Sequence, residues 1–196
     1  MLFLIALSCN MNKKVNTTQS LKEPYKLLQE YNKTKNKKFL KESYKLLIKN
    51  PSFKESGLTN SNRELVLPLL MYLKKYDELE NLLSKDTTFD KEKKEMFTNT
   101  VKSLKVYGKD SILAKDYINK NLKLINEKIK LNPKDSLAYL DYFTMRLYKN
   151  NDKQKTLKEI DSMQKINRVQ SDFFYNYVLK DVIEDYPNEY LYEKNK

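Results

Sequence analysis

Few residues in this chain of 196 could do chemistry, and their types exclude most reactions. There is no histidine, which removes Ser-His-Asp and Cys-His nucleophile systems along with the commonest metal ligand. The single cysteine, Cys9, leaves no thiolate metal cluster and no internal disulfide. Gly57 and Gly108 are the only glycines and stand far apart, so no glycine-rich loop can cradle a phosphate. Carboxylates remain. A glycosidase needs two of them flanking the scissile bond, one to give a proton and one to attack or to activate water. The candidates are Glu78 with Glu80, Glu92 with Glu95, and Asp181 with Glu184 and Asp185. Each cluster sits at helical spacing beside lysines, the pattern of a solvated face with local ion pairs. On this basis no catalytic residue, metal site or cofactor is assigned.

The elements that position these residues read as helices throughout. Apolar residues at 40% and charged residues at 33% place the chain among folded proteins. The scarcity of glycine argues against a hairpin-rich β protein. From Leu21 onward apolar residues recur at helical spacing: Leu21, Tyr25, Leu28 and Tyr31, then Leu40, Tyr44, Leu47 and Ile48. Asn50-Pro51, Asn132-Pro133 and Tyr186-Pro187 mark stops, because the residue before proline is pushed out of the α region. Asp90, Asp110 and Asp135 are placed to cap the helices after them, and Gly108 to end one. Ser61 and Glu64 have capping-box spacing. The run Leu65 to Leu73 is apolar on nearly every side, which predicts a buried helix, with Pro68 kinking it or delaying its start. The expectation is an all-α chain of about nine helices, joined by short polar turns into stacked antiparallel hairpins.

The N-terminus carries an address. Residues 1–8, MLFLIALS, form a continuous apolar run too short to span a bilayer, and Cys9 follows directly. In Ala6-Leu7-Ser8-Cys9 the chain resembles bacterial lipoproteins, which place a small residue before the cysteine that becomes lipidated. It departs from their pattern in having Ala6 where leucine is usual and in lacking a basic leading segment. The resemblance implies that residues 1–8 are a signal-peptide remnant, that Cys9 is the site of lipid attachment, and that residues 9–20 are a lipid-anchored flexible tether. It further implies a bacterial cell-envelope location, membrane-anchored and facing the periplasm. Three acyl chains, as in that family, exceed the marginal hold of a single chain.

The net charge of +12 raises nucleic acid as a partner, but its make-up argues otherwise. Arg63, Arg146 and Arg168 are the only arginines among 38 basic residues, whereas readers of bases and phosphates favour the bidentate guanidinium. Residues 11–55 hold twelve lysines and four glutamates, so the charge concentrates next to the position of the expected anchor.

Three stretches repeat a helix, a short turn and a second helix: Leu21 to Pro51, Glu64 to Phe89, and Asp135 to Arg168. The last resembles a tetratricopeptide repeat. Leu140, Phe143 and Leu147 fit its first helix and Ile160 its second, while Thr144 and Thr156 stand where that family has Gly and Ala. Met163 departs from the small residue usual there. The resemblance implies a helical-repeat domain over 21–187 with a polar C-terminal tail over 188–196. Its register would aim Asp141, Met145, Tyr148 and Lys149 into a concave groove.

Eight of the fifteen tyrosines crowd the C-terminal third, at 139, 142, 148, 175, 177, 186, 190 and 192. They can pack helices with the hydroxyl at the surface, or they can anchor an interface. The sequence is therefore read as a non-catalytic envelope lipoprotein that binds a protein or peptide partner. Two alternatives stay open: a carboxylate-dependent enzyme acting on cell-wall glycans, and a periplasmic inhibitor or immunity-type protein. Exposure of Tyr148 and its neighbours would support the groove, and their burial would overturn it.

Overall fold

Short polar side chains set where the helices begin. The computed structural model describes residues 21–51, 53, 57–167 and 169–192, so Cys9 and the expected tether lie outside the described residues. Among the described residues there are nine α-helices: α1 Lys22–Thr34, α2 Lys37–Lys49, α3 Arg63–Tyr72, α4 Tyr76–Lys85, α5 Lys91–Val106, α6 Ser111–Leu131, α7 Ser136–Asn150, α8 Lys153–Ile166 and α9 Lys180–Glu184. The chain is all-α as expected. No described helix is long and apolar enough to cross a membrane. By its internal packing the chain divides within α5 into a unit ending at Thr98 and a unit beginning at Asn99, rather than one continuous array over 21–187.

In the first unit α1 and α2 form a hairpin. The Asn36 side chain accepts the Lys38 N–H at 3.0 Å to start α2, and Asn50, extended before Pro51, ends it. The buried Ser43 hydroxyl donates to the Pro24 carbonyl at 2.7 Å, tying the two helices together. Lys35 ends α1 in the left-handed region at φ 56°, where glycine is the usual choice. Helix α3 is buried at every position from Leu65 to Met71, as its composition required. It runs through Pro68 unbroken, giving up the one N–H that would reach back to the Glu64 carbonyl. Ser61 and Glu64 do not form a capping box: the Ser61 hydroxyl lies 3.0 Å from that of Thr59. The neighbouring Asn62 closes this turn instead, because its amide carries acceptor and donor on separate atoms that reach two backbone groups at once. It accepts from the Thr59 N–H at 2.8 Å and donates to the Gly57 carbonyl at 2.7 Å.

In the second unit the aspartate caps appear as read. Asp110 accepts from Ile112 and Leu113, and Asp135 from Leu137 and Ala138; in the first unit Asp90 likewise accepts from Lys93 at 2.8 Å. Gly108 follows the end of α5 but takes no positive φ, so it is no left-handed stop. Asn151, at φ 49°, ends α7, and Asp152 caps α8 in the next residue, making the tight turn of the α7–α8 hairpin. Arg146 grips Glu159 across that hairpin through two nitrogens at 2.8 and 2.6 Å. Thr144 and Thr156 are fully buried, and each hydroxyl returns to its own helix by donating to the carbonyl four residues back.

The final helix departs from the expected α pattern. Phe174–Leu179 is a π-turn, with the Lys180 N–H reaching back five residues to Tyr175 before α9 resumes. Its buried residues are Phe174, Tyr175 and Leu179, followed by Ile183 in α9, a spacing that an α-helix would also allow. The stretch after Pro187 is not a polar tail as far as it is described, since Tyr190, Leu191 and Tyr192 are buried.

Candidate partner-binding surface

The tyrosines of the second unit separate into an inner cluster and an outer pair. At the centre is Tyr148, wholly enclosed on α7, with its hydroxyl 2.9 Å from that of Tyr186. Its ring meets Tyr186 and Tyr192 edge-on at 5.9 and 6.1 Å. Tyr192 stacks flat on Tyr107 at 3.8 Å, shares a short hydrogen bond with Ser103, and accepts from Asn151 through its carbonyl. Burial pushes the Tyr148 phenol well above its ordinary range, with Tyr186 adding to the effect. This is a folding core, which explains why the segment after Pro187 is held against the unit.

The residues expected to line a groove therefore do not do so together. Met145 and Tyr148 have no exposed surface, while Asp141 and Lys149 on the same helix are half-buried. Met145 instead faces a buried polar group. Asn121 reaches its sulfur at 3.4 Å and the Thr100 hydroxyl at 3.2 Å, and Asn99 donates to Asn121 at 2.9 Å. The borrowed repeat register failed here because α7 is packed on both sides, leaving no free concave face at 145 and 148.

A second inner group holds the base of the π-turn. The Tyr175 hydroxyl donates to the Asn167 carbonyl at 3.2 Å, and the Asn167 amide donates to the Tyr139 hydroxyl at 2.8 Å. Burial, with Tyr139 nearby, pushes the Tyr175 phenol up to about 12.

Outside this base stand Phe173 and Tyr177, exposed by 66% and 65%, with their rings 5.4 Å apart and tilted by 30°. Ile166 and Val169, on the segment leading to the π-turn, are exposed as well. Large apolar side chains left in water at one end of a unit mark a surface with something to cover it. On the same stretch of chain lies an open polar hollow of about 840 Å³, lined by Asp161, Gln164, Lys165, Gln170, Ser171 and Asp172. Hydrogen bonds join several of its lining side chains to one another and to their neighbours. Gln164 donates to Asp172 at 2.9 Å, Lys180 pairs with Asp161 at 2.7 Å, and Gln170 takes the Ser136 hydroxyl at 2.8 Å. An exposed aromatic pair on the same stretch of chain as an open polar hollow can seat an apolar side chain and satisfy the polar groups flanking it.

One cue for the pair was present in the chain. Phe173-Phe174-Tyr175 is three aromatics in a row, and on a helix packed along one face only, consecutive side chains about 100° apart do not all point to that face. The carboxylate clusters offer less. Glu78 accepts the Tyr44 hydroxyl at 2.9 and 2.7 Å and the Lys75 ammonium at 2.6 Å, so it is committed to joining α2 with α4. Asp181, Glu184 and Asp185 are exposed at and beyond α9, and Glu92 and Glu95 lie on α5. Among the described residues no three acidic or sulfur side chains gather in a metal-binding group. No protein-family model, curated protein or solved structure matches this chain.

Proposed function

We propose that this protein is an envelope lipoprotein, held at a membrane through an acylated Cys9 and facing the periplasm, whose helical domain binds a protein or peptide partner without transforming it. The observation that carries the binding half is the exposed Phe173–Tyr177 pair, on the same stretch of chain as an open polar hollow. Rigid aromatic anchors gain large contact area for little lost side-chain freedom, and they dominate the energetics of protein interfaces. The anchor half is supported by the sequence around Cys9, by the lysine-rich stretch that follows it, and by the likeness of Ala6-Leu7-Ser8-Cys9 to the lipoprotein signal. The tetratricopeptide-like character of the α7–α8 hairpin agrees with a binding role, with the contact surface moved from Met145 and Tyr148 to the π-turn.

Two variants test the halves separately. Cys9→Ser releases the protein from the membrane fraction if Cys9 is the anchor; unchanged fractionation refutes it. Phe173→Ala/Tyr177→Ala leaves the unfolding midpoint within error, because both rings are mostly in water. It weakens partner retention by about thirtyfold, the scale of one interface hot spot. Undiminished retention refutes the surface.

A further inference from the structure

We propose that the outer face of α2 is a second membrane contact, a stripe of lysines lying on anionic phospholipid headgroups. The inference rests on the lipid-anchor reading, since the anchor is what brings this face to a bilayer. Helix α2 carries Lys37, Lys38, Lys41, Lys45 and Lys49, every one exposed, against the single acid Glu42. At 100° per residue these five side chains fall within an arc of roughly 120°, opposite the buried Leu40, Ser43 and Leu47. Ile48, 39% exposed, lies within the same arc. Among the described residues only Lys38 of the five pairs with an acid, and weakly: Glu42 is 3.8 Å away and both side chains are in water.

That pattern has a chemistry. Lysine is a hydrated point charge that suits a diffuse layer of headgroups, and an aliphatic side chain among lysines can enter the headgroup boundary. The position in the chain suits it as well. Residues 10–20 separate Cys9 from Leu21, a length that reaches about 40 Å fully extended and about 20 Å as a flexible coil. A helix tethered that closely meets the surface at high effective concentration, so modest attraction is enough to hold it down.

The test uses the full-length Cys9→Ser protein, so that acylation does not mask the contact. Cosedimentation is measured with zwitterionic phosphatidylcholine vesicles and with vesicles containing roughly one third phosphatidylglycerol. Binding to the anionic vesicles exceeds that to the neutral ones and is lost in about 0.5 M salt, where charges are screened within a few ångströms. The variant Lys37→Gln/Lys41→Gln/Lys45→Gln loses about a hundredfold in binding, at about fivefold per lysine. The control Lys115→Gln/Lys123→Gln/Lys130→Gln, equal in charge and exposed on α6, keeps it. No preference for anionic vesicles, equal loss in both variants, or preference for a single-stranded oligonucleotide of matched charge would each overturn the stripe. None of these results touches the anchor, which is judged by fractionation of Cys9→Ser alone.

Discussion

Removing one hydroxyl from the Tyr148–Tyr186 pair tests whether this cluster is core or binding surface. Tyr148→Phe keeps the ring, so its edge-on packing at 5.9 Å against Tyr186 survives and only the 2.9 Å hydrogen bond is lost. A buried hydrogen bond between neutral groups contributes about 1 kcal/mol net. With a urea dependence of about 2 kcal/mol per molar, the midpoint falls by about 0.5 M. Tyr186→Phe loses a similar amount. The double variant loses less than the sum, by about 1 kcal/mol, because removing both partners leaves no hydroxyl deprived of the other. Tyr148→Ala, by contrast, empties the centre of the unit and costs about 3–5 kcal/mol. Far-ultraviolet circular dichroism in urea reads all four. Strict additivity of the two Phe variants would refute the pairing. A Tyr148→Phe protein of normal stability that no longer held its partner would return Tyr148 to the binding surface.

Three further outcomes follow from the geometry. Burial alone would raise the Glu159 carboxyl, but hydrogen bonds from Arg146 and Asn150 outweigh it and hold the group below its ordinary value. The stability it contributes is therefore present above the unfolded carboxylate range and is lost as pH falls through the depressed value. Glu159→Gln should cost about 1 kcal/mol at neutral pH, the pair being partly screened by solvent, and flatten the acid limb of the stability curve. Tyr175 titrates at about 12 folded against about 10 unfolded. Its contribution is complete below pH 10 and lost between 10 and 12, so alkaline urea titrations should fall there, less steeply in Tyr175→Phe. Lys35→Gly relieves the left-handed backbone at φ 56° and should raise the melting temperature, by about 1 kcal/mol of stability, despite the extra freedom of the unfolded chain. A lower melting temperature would show that the Lys35 ammonium over the Tyr31 ring, 5.6 Å away, outweighs the strain.

Helix boundaries were legible in the sequence wherever a local side chain decides them. An aspartate at 90, 110 or 135 reaches amides two or three residues on, and a proline at 51, 133 or 187 acts on the residue before it. Neighbouring choices of similar chemistry were harder: Ser61 and Asn62 could each close the turn before α3, and the longer amide spans it with an acceptor and a donor on separate atoms. The π-turn was hidden because its apolar spacing also fits an α-helix over so short a stretch. Long-range pairing was not legible at all. Tyr148 and Tyr186 lie 38 residues apart, so nothing local tells that their hydroxyls meet or that Tyr192 closes over them. The same hidden packing turned the expected groove residues Met145 and Tyr148 inward. Phe173 and Tyr177 were left outside, on the side of the π-turn away from the buried Phe174, Tyr175 and Leu179.

The most direct test of the central claim, that this is a binding protein working through its π-turn, is site-specific photo-crosslinking in intact envelopes. A photoreactive residue replaces Tyr177 in one protein and Ile112 in another, the latter a 76% exposed apolar side chain on α6 of the same unit. The account predicts a discrete adduct from position 177 that disappears when Phe173 is changed to alanine, and no such adduct from position 112. Equal adducts from both positions, or none from 177, would contradict it.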